Sequence, residues 1–461
     1  VSDELPIILD RMAGTPLSVQ LADALRAAAS DGHLRVGDRL PSSRGLAQRL
    51  DVSRTVTAAA YEQLHAEGWI RGRHGSGTYV AAVPEPAQSR RPAPGKATES
   101  GDRISLIPGA PCLEAIDSAA WRRAWRAAAD RPALLRPIRT GLPEFHDAVV
   151  EHLLRHRGLA ATDAAVLATA GTSSATFEVA SVSLAAGSRV AIEEPGYGRA
   201  AAALQAAGMR LAPIRTDEHG ICVDAIPADV SAVYCTPAHQ YPLGARLPAE
   251  RRVELVRCAR KHSWLLLEDD YDGELRYDTA PLPLLASIGP DVVVHLGTTS
   301  KILTPTLGAG WMVAPPAVAA AVAERREAAG MGPSPAGQRV FVELARSGDL
   351  ARHLRRLRRE LATRRSIVVD SLRAQHIDVR GDAAGSHVVI ELPSLVVEER
   401  LIRRAGNAGI LLDGLARHHF GEPRRHGIVL GYTACSKPDL AEAVANLADA
   451  FPNLSVPCRT P

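Results

Sequence analysis

The N-terminal eighty residues alternate apolar and polar positions with the period of short helices. In "LSVQLADALRAAASDGHL", Leu17, Leu21 and Leu25 share a face, and Gly32 ends the segment. "SRGLAQRL" repeats the pattern over one short helix, with Leu46, Ala47 and Leu50 inward. After a turn at Asp51 and Val52, Ser53 caps a third helix, "RTVTAAAYEQLHAEG", with Val56, Ala60 and Leu64 inward. "WIRGRHGSGTYVA" then reads as two short β segments about a glycine turn. Helix, helix–turn–helix and hairpin in this order predict a winged helix-turn-helix.

A different rhythm begins after "VPEPAQSRRPAPGKATESGD", residues 83–102. That stretch is rich in Pro, Ser, Ala and charge, has no periodicity and reads as a linker. Residues 103–461 then alternate helical segments with continuous apolar runs: "AAVLATAG", "RVAIEEPGY", "AVYCTPAHQYPLG", "WLLLEDDYD" and "DVVVHLGTTSK". Each run ends in polar residues. The pattern predicts an α/β domain with a central, mostly parallel sheet and functional groups at its strand C-terminal ends. The expected organisation is residues 1–82, a linker over 83–102, and 103–461.

Composition adds limits. The chain has 461 residues, 46% apolar and 23% charged, enough for more than one buried core. Its net charge of +3 confines any nucleic-acid surface to a local patch. The six cysteines form no C-x-x-C pair and no cluster with histidine, so no metal site is expected. No apolar run approaches a membrane span, and the expected location is the cytoplasm. Arginine dominates; the lysines are Lys96, Lys261, Lys301 and Lys437. With so few lysines, one placed in a pocket is singled out as a functional candidate.

The candidate chemistry falls into two groups. Ser53, Arg54 and Thr55 occupy the first turn of the third helix, where a recognition helix meets base edges and phosphate. Arg44 opens the preceding helix, and Arg71, Arg73 and His74 lie on the wing. Together they predict a face for double-stranded DNA.

The second group surrounds Lys301. A partly desolvated lysine at a strand exit can form a Schiff base with an aldehyde. A pyridoxal cofactor also needs an acid at its ring nitrogen, a donor at its phenolic oxygen, a stacking aromatic and a phosphate cradle. "EDDYD" offers Asp269 or Asp270 for the nitrogen and Tyr271 for the oxygen. "EEPGYGR" offers Tyr197 to stack. "AGTSSA" places Gly171, Thr172 and Ser173 at a helix start, and Thr298 and Ser300 add hydroxyls.

Residues 37–80 resemble the GntR-type winged helix, and the order glycine turn, Tyr, Asp-x-Tyr, Ser-Lys resembles the fold-type I aminotransferases. With "TPAHQYPLG" and "EDDYDGELRY", the fusion is similar to the MocR-type regulators from about Pro16 to about Ala450. The resemblance implies operator contacts from Arg44, Arg54, Thr55 and His74. It implies pyridoxal 5'-phosphate as an internal aldimine on Lys301, with Asp269 at the ring nitrogen, Tyr271 at the phenolic oxygen and Tyr197 on the ring face. It also implies an amine or amino-acid effector near Arg199, His239 and Gln240, a smaller C-terminal α+β subdomain, and a homodimer.

The sequence departs from that family at three positions, the first being His146 in "LLRPIRTGLPEFHDAV", where an arginine is usual. Gly308 stands where an arginine normally helps hold the cofactor phosphate. Val429 stands where aminotransferases carry an arginine for the substrate carboxylate. The leading expectation is a regulator that binds cofactor and an amine effector without net turnover. The alternatives are a working aminotransferase with a DNA-binding appendage, and a regulator whose pocket has lost the cofactor.

Overall fold

A computed structural model describes residues 7–73, 77–82, 103–161, 165–277, 283–448 and 451. The chain divides into two compact units, Val1–Glu99 and Ser100–Pro461. The linker over 83–102 and the wing residue His74 lie outside the described residues.

In the first unit, α1 (Leu17–Ser30), α2 (Ser43–Arg49) and α3 (Arg54–Ala66) pack around Leu21, Leu25, Leu46, Ala60 and Leu64. Ser42 and Ser53 cap α2 and α3 by accepting from Gly45 N and Val56 N. The Thr57 hydroxyl donates to Ser43 O at 2.8 Å, fixing α3 against α2. Strands β1 (Ile70–Arg73) and β2 (Gly77–Val80) form the antiparallel wing.

The second unit begins with the two-residue β3 (Ile104–Ser105), α4 (Ser118–Ala129) and α5 (Pro143–Arg157). Its sheet is built from β4 (Val166–Thr169), β5 (Arg189–Glu194), β6 (Arg210–Asp217), β7 (Gly220–Ile221), β8 (Ala232–Cys235), β9 (Leu265–Asp270), β10 (Val293–Thr298) and β11 (Gly310–Val313). The order is β4–β11–β10–β9–β8–β5–β6–β7. Pairing is parallel from β10 through β6, while β11 runs antiparallel to both its neighbours and β7 runs antiparallel to β6. Between strands lie α6 (Thr172–Ser183), α7 (Gly198–Ala206), α8 (Ala249–His262) and α9 (Leu285–Ile288). Burial of the central strands on both faces explains their unbroken apolar runs.

Helices α10 (Pro316–Ala329), α11 (Pro335–Arg346) and α12 (Asp349–Ala374) lead to a smaller sheet. It comprises β12 (His387–Leu392), β15 (His426–Gly431) and β14 (Asp413–Gly414), in that order; β13 (Ile410–Leu411) pairs with β3. Helices α13 (Leu395–Asn407) and α14 (Lys437–Ala448) complete the subdomain. The arginine-rich α12 is largely a structural brace. Arg356 donates to Ala115 O, Arg358 to Glu274 O, Arg364 to Tyr432 O and Cys435 O, and Arg365 to Gly381 O. Arg352, Arg355 and Arg359 are its exposed arginines over residues 352–365.

Candidate functional site

Lys301 follows β10 and points its amine at the chain before α4, where Nζ donates to Gly109 O at 2.6 Å. Gly109 has a φ of +101°, and a Cβ there would lie 3.4 Å from Nζ. Burial pushes the amine below its usual pKa. Asp272 and then Asp269 pull it back up, and Arg199 opposes them.

Adjacent residues of β9 face opposite ways, and this separates the two aspartates that the sequence leaves open. Asp270 is held by Arg157, whose Nε and Nη2 reach its two carboxylate oxygens at 2.7 Å each. Asp269 faces the Lys301 side. The Tyr234 hydroxyl donates to its Oδ2, and its buried Oδ1 has no partner among the described residues. Burial pushes Asp269 up to about 7, although the Tyr234 and Thr172 hydroxyls act in the other direction.

Tyr271 lies two residues on. Its Oη is 3.2 Å from His239 Nδ1, and that nitrogen is 2.8 Å from Asp272 Oδ2. Tyr197 immediately precedes α7 and meets Tyr241 edge-on at 5.6 Å between ring centres. Tyr241 also meets Tyr271, His387 and His418 edge-on, with centres 5.3–6.1 Å apart. Gln240, in contrast, spends its amide on the loop. Nε2 donates to Pro195 O and Tyr241 O, and Oε1 accepts from Leu243 N. It supports the pocket wall, and its expected effector contact would require breaking those bonds. Arg199 is exposed on α7.

Gly171 ends the β4 turn with a φ of +140°, and Thr172 and Ser173 open α6. Their amides lie in the first turn, where helical N–H groups lack helical acceptors. Thr298 Oγ1 accepts from Ser300 N at 3.1 Å and bonds the Ser300 hydroxyl at 2.9 Å. Strand β11 comes close here: a Cβ on Gly310 would sit 2.8 Å from Thr169 Oγ1 and 3.2 Å from Gly171 Cα. Gly308 has a φ of +59°, closing the turn before β11, and a Cβ there would meet nothing within 4 Å.

Val429 is fully buried on β15 and joins Leu243, Val389 and Leu415 in an apolar cluster. Tyr234, Tyr241, Asp272 and His387 are functional candidates that sequence reasoning missed. Tyr241, inside "HQYPLG", and Asp272, the last residue of "EDDYD", carried a usable signal. On the DNA side, Arg44, Ser53, Arg54, Thr55, Arg71 and Arg73 are all exposed, and Arg73 lies over the Tyr79 ring at 5.0 Å.

These two sites belong to two known domain types. Residues 17–80 match the bacterial regulatory proteins of the gntR family, and residues 104–419 match aminotransferase class I and II. The chain belongs to the transcriptional regulators that join these two domains, the kind represented by MocR and PdxR.

It is 33% identical to the HTH-type pyridoxine biosynthesis transcriptional regulator PdxR of Corynebacterium glutamicum, over 97% of this chain and 98% of that one. It is 31% identical to the probable rhizopine catabolism regulatory protein MocR of Rhizobium meliloti, over 96% of each. Among solved structures it resembles a kynurenine aminotransferase of Pyrococcus horikoshii (TM-score 0.71, 23% identity, 77% of this chain and 92% of that one). It also resembles LysN, the α-aminoadipate aminotransferase of Thermus thermophilus (TM-score 0.70, 24% identity, 77% and 93%).

The protein is thus a DNA-binding regulator with an aminotransferase-like domain whose cofactor is pyridoxal 5'-phosphate. The residues present fit that group. Lys301 offers an amine of lowered basicity, the open Oδ1 of Asp269 offers an acceptor for the ring nitrogen, and the α6 N-terminus offers neutral donors for phosphate. Among the described residues, none is arranged with others to hold a metal ion, and no helix is long and apolar enough to cross a membrane.

Proposed function

We propose that Lys301 carries pyridoxal phosphate and that occupancy of this pocket controls DNA binding by the winged helix. The observation that carries this reading is the unpartnered Oδ1 of Asp269, a buried acceptor near a lysine of lowered basicity. When bound, the cofactor supplies an aldehyde reactive toward amines and an electron-withdrawing ring.

The protein's residues do the rest. Asp269, oriented by Tyr234, binds the ring nitrogen; Tyr271 donates to the phenolic oxygen; Tyr197 covers the ring. Gly171, Thr172, Ser173, Thr298 and Ser300 bind the phosphate. His239 shapes the wall beside Tyr271. Arg199 is the candidate grip for an anionic effector group. Arg44, Ser53, Arg54, Thr55, Arg71, Arg73 and His74 contact the operator.

The test is the absorbance spectrum of the full chain titrated with pyridoxal phosphate. A protein-bound band is expected in wild type and lost in Lys301→Ala. A reconstituted wild-type protein without the band rejects the reading.

A second reading concerns the signal. The apolar cluster around Val429 supplies no cation for an amino-acid carboxylate. One relative is named for pyridoxine biosynthesis. Both favour the cofactor itself as the signal over an amino acid condensed with it. Cofactor alone then changes operator affinity, and added amino acids change it no further.

The domain is proposed to work as a homodimer. Leu134, Leu135 and Ile138 lie exposed between α4 and α5, with Leu135 at 96%, a surface suited to a second copy. Light scattering of the full chain reads the mass directly.

A further inference from the structure

The Lys301 loop is held by a helix that the proposed cofactor contacts do not use. His353, on the second turn of α12, is 5% exposed and sets its Nε2 2.5 Å from Ile302 O. Ile302 directly follows Lys301 and is itself buried. A carbonyl only accepts, so Nε2 carries the proton and donates. No other donor reaches that carbonyl among the described residues. Burial pushes His353 below its usual pKa, so the neutral ring has one proton, committed to Nε2. The other ring nitrogen, 3.3 Å from Ala115 O, is then no donor; Arg356 Nε donates to that carbonyl at 2.6 Å. Ala115 and Gly109 belong to one segment between β3 and α4, and Gly109 O accepts from the Lys301 amine. Two residues three apart on one helix face therefore hold both segments whose meeting places Nζ. Leu350, Leu354 and Leu357, buried in the main core, fix the helix itself.

We propose that His353 is a positioning residue of Lys301: through Ile302 O it fixes the lysine's backbone against the segment that carries Gly109, which Arg356 holds from the same helix. The proposal rests on the reading that Lys301 is the reactive group of the pocket. An amine that must meet an aldehyde carbon in one orientation reacts more slowly when its backbone wanders. A misplacement of about 1 Å can cost on the order of a hundredfold in rate.

Two measurements on the full-length protein test this. The first uses protein cleared of cofactor with hydroxylamine and follows hydrogen exchange in the peptide over residues 299–307. That peptide reports the bonds from Leu303 N to Thr299 O and from Thr299 N to Ala309 O. His353→Leu is expected to speed its exchange about tenfold while the α8 peptide exchanges as in wild type. His353→Gln keeps a donor of nearly the same reach and is expected to restore the wild-type rate. The second measurement adds pyridoxal phosphate, reduces with borohydride at successive times, and counts adducts at Lys301 by mass spectrometry. Adducts are expected to form about tenfold more slowly in His353→Leu and at the wild-type rate in His353→Gln. Exposed Lys261 serves as the internal reference and should not change.

Loop exchange that His353→Leu leaves unchanged overturns the proposal. Faster exchange with an unchanged adduct rate also overturns it, since His353 then only stiffens the fold. Should His353→Leu lose its thermal transition, His353→Asn, whose shorter amide falls short of Ile302 O, replaces it under the same criteria. Wild-type protein that forms no adduct at Lys301 rejects the cofactor reading. The exchange measurement, made without cofactor, then decides the His353 contact alone.

Discussion

Tyr234 and Asp269, on neighbouring parallel strands, share a buried hydrogen bond that occupies one carboxylate oxygen and leaves the other open. This relationship has a pH signature. Burial lifts Asp269 to about 7, and it lifts Glu193, beside Thr236 and Gln240, to about 7 as well. Unfolded carboxyls titrate near ~4. The folded protein therefore holds these protons where the unfolded chain has lost them. Their contribution to stability is fully present below about 4, falls as pH rises toward about 7, and is flat above. Thermal melting of the cofactor-free protein between pH 5 and 8 should show this decline. In Asp269→Asn the decline should be shallower, because one of the carboxyls that burial raises is gone. Equal slopes in the two proteins would contradict the assignment.

Gly308 is proposed to weaken cofactor binding, because it stands where the family resemblance expects a phosphate-binding arginine. An arginine there would add a charge-assisted phosphate contact worth about 1.5–3 kcal/mol. The left-handed φ of +59° opposes it, by roughly 1–2 kcal/mol for a side chain in that region. Space does not, since a Cβ meets nothing within 4 Å. Gly308→Arg is expected to tighten pyridoxal phosphate by a few-fold in a spectroscopic titration. Unchanged or weaker affinity would mean that this position does not face the phosphate.

Much of this architecture is legible in the chain. The runs that became β5, β8, β9 and β10 are continuous because both faces of those strands are buried, and their ends hold the pocket residues. Strand β6 escapes the same reading. Near the sheet margin it alternates exposed and buried positions and contains Pro213. Strand β11 has four residues and begins within a glycine turn, so its insertion between β10 and β4 is a tertiary fact.

From the residues alone the choice between Asp269 and Asp270 is likewise open, and only the family resemblance points to Asp269. Alternation puts them on opposite faces, but only Arg157, 113 residues away, reveals which face is the pocket. The Asp272–His239 contact spans 33 residues and leaves no local pattern.

The Arg157–Asp270 pair predicts a large stability effect away from the chemistry. Both side chains are at most 2% exposed, and Arg157 Nη1 also donates to Gly273 O at 3.1 Å. Arg157→Met strands a buried carboxylate and should cost about 3–5 kcal/mol. Arg157→Met with Asp270→Leu removes both charges and should recover most of the loss. Denaturant unfolding of the larger unit checks this, and a double variant no better than the single would show that the charge is not the cause.

On the DNA side, Ser53 and Arg54 are neighbours with separable jobs. Ser53 Oγ accepts from Val56 N at 3.4 Å and caps α3. Arg54 is exposed in the first turn, and its backbone oxygen, which any residue supplies, accepts from the Thr57 hydroxyl at 3.0 Å. Ser53→Ala should therefore cost stability, about 1 kcal/mol, in melting of the winged helix. Arg54→Ala should leave melting unchanged and weaken operator binding by about 1–3 kcal/mol.

Salt then tells what Arg54 touches. If it meets a phosphate, the slope of log affinity against log salt shrinks by about one in the variant and all duplexes weaken alike. If it reads a base, the slope changes little and discrimination between operator and unrelated duplex falls. Measured operator affinity identical to wild type at every salt concentration would remove Arg54 from the DNA face altogether, and with it the docking of the α3 N-terminus in the groove.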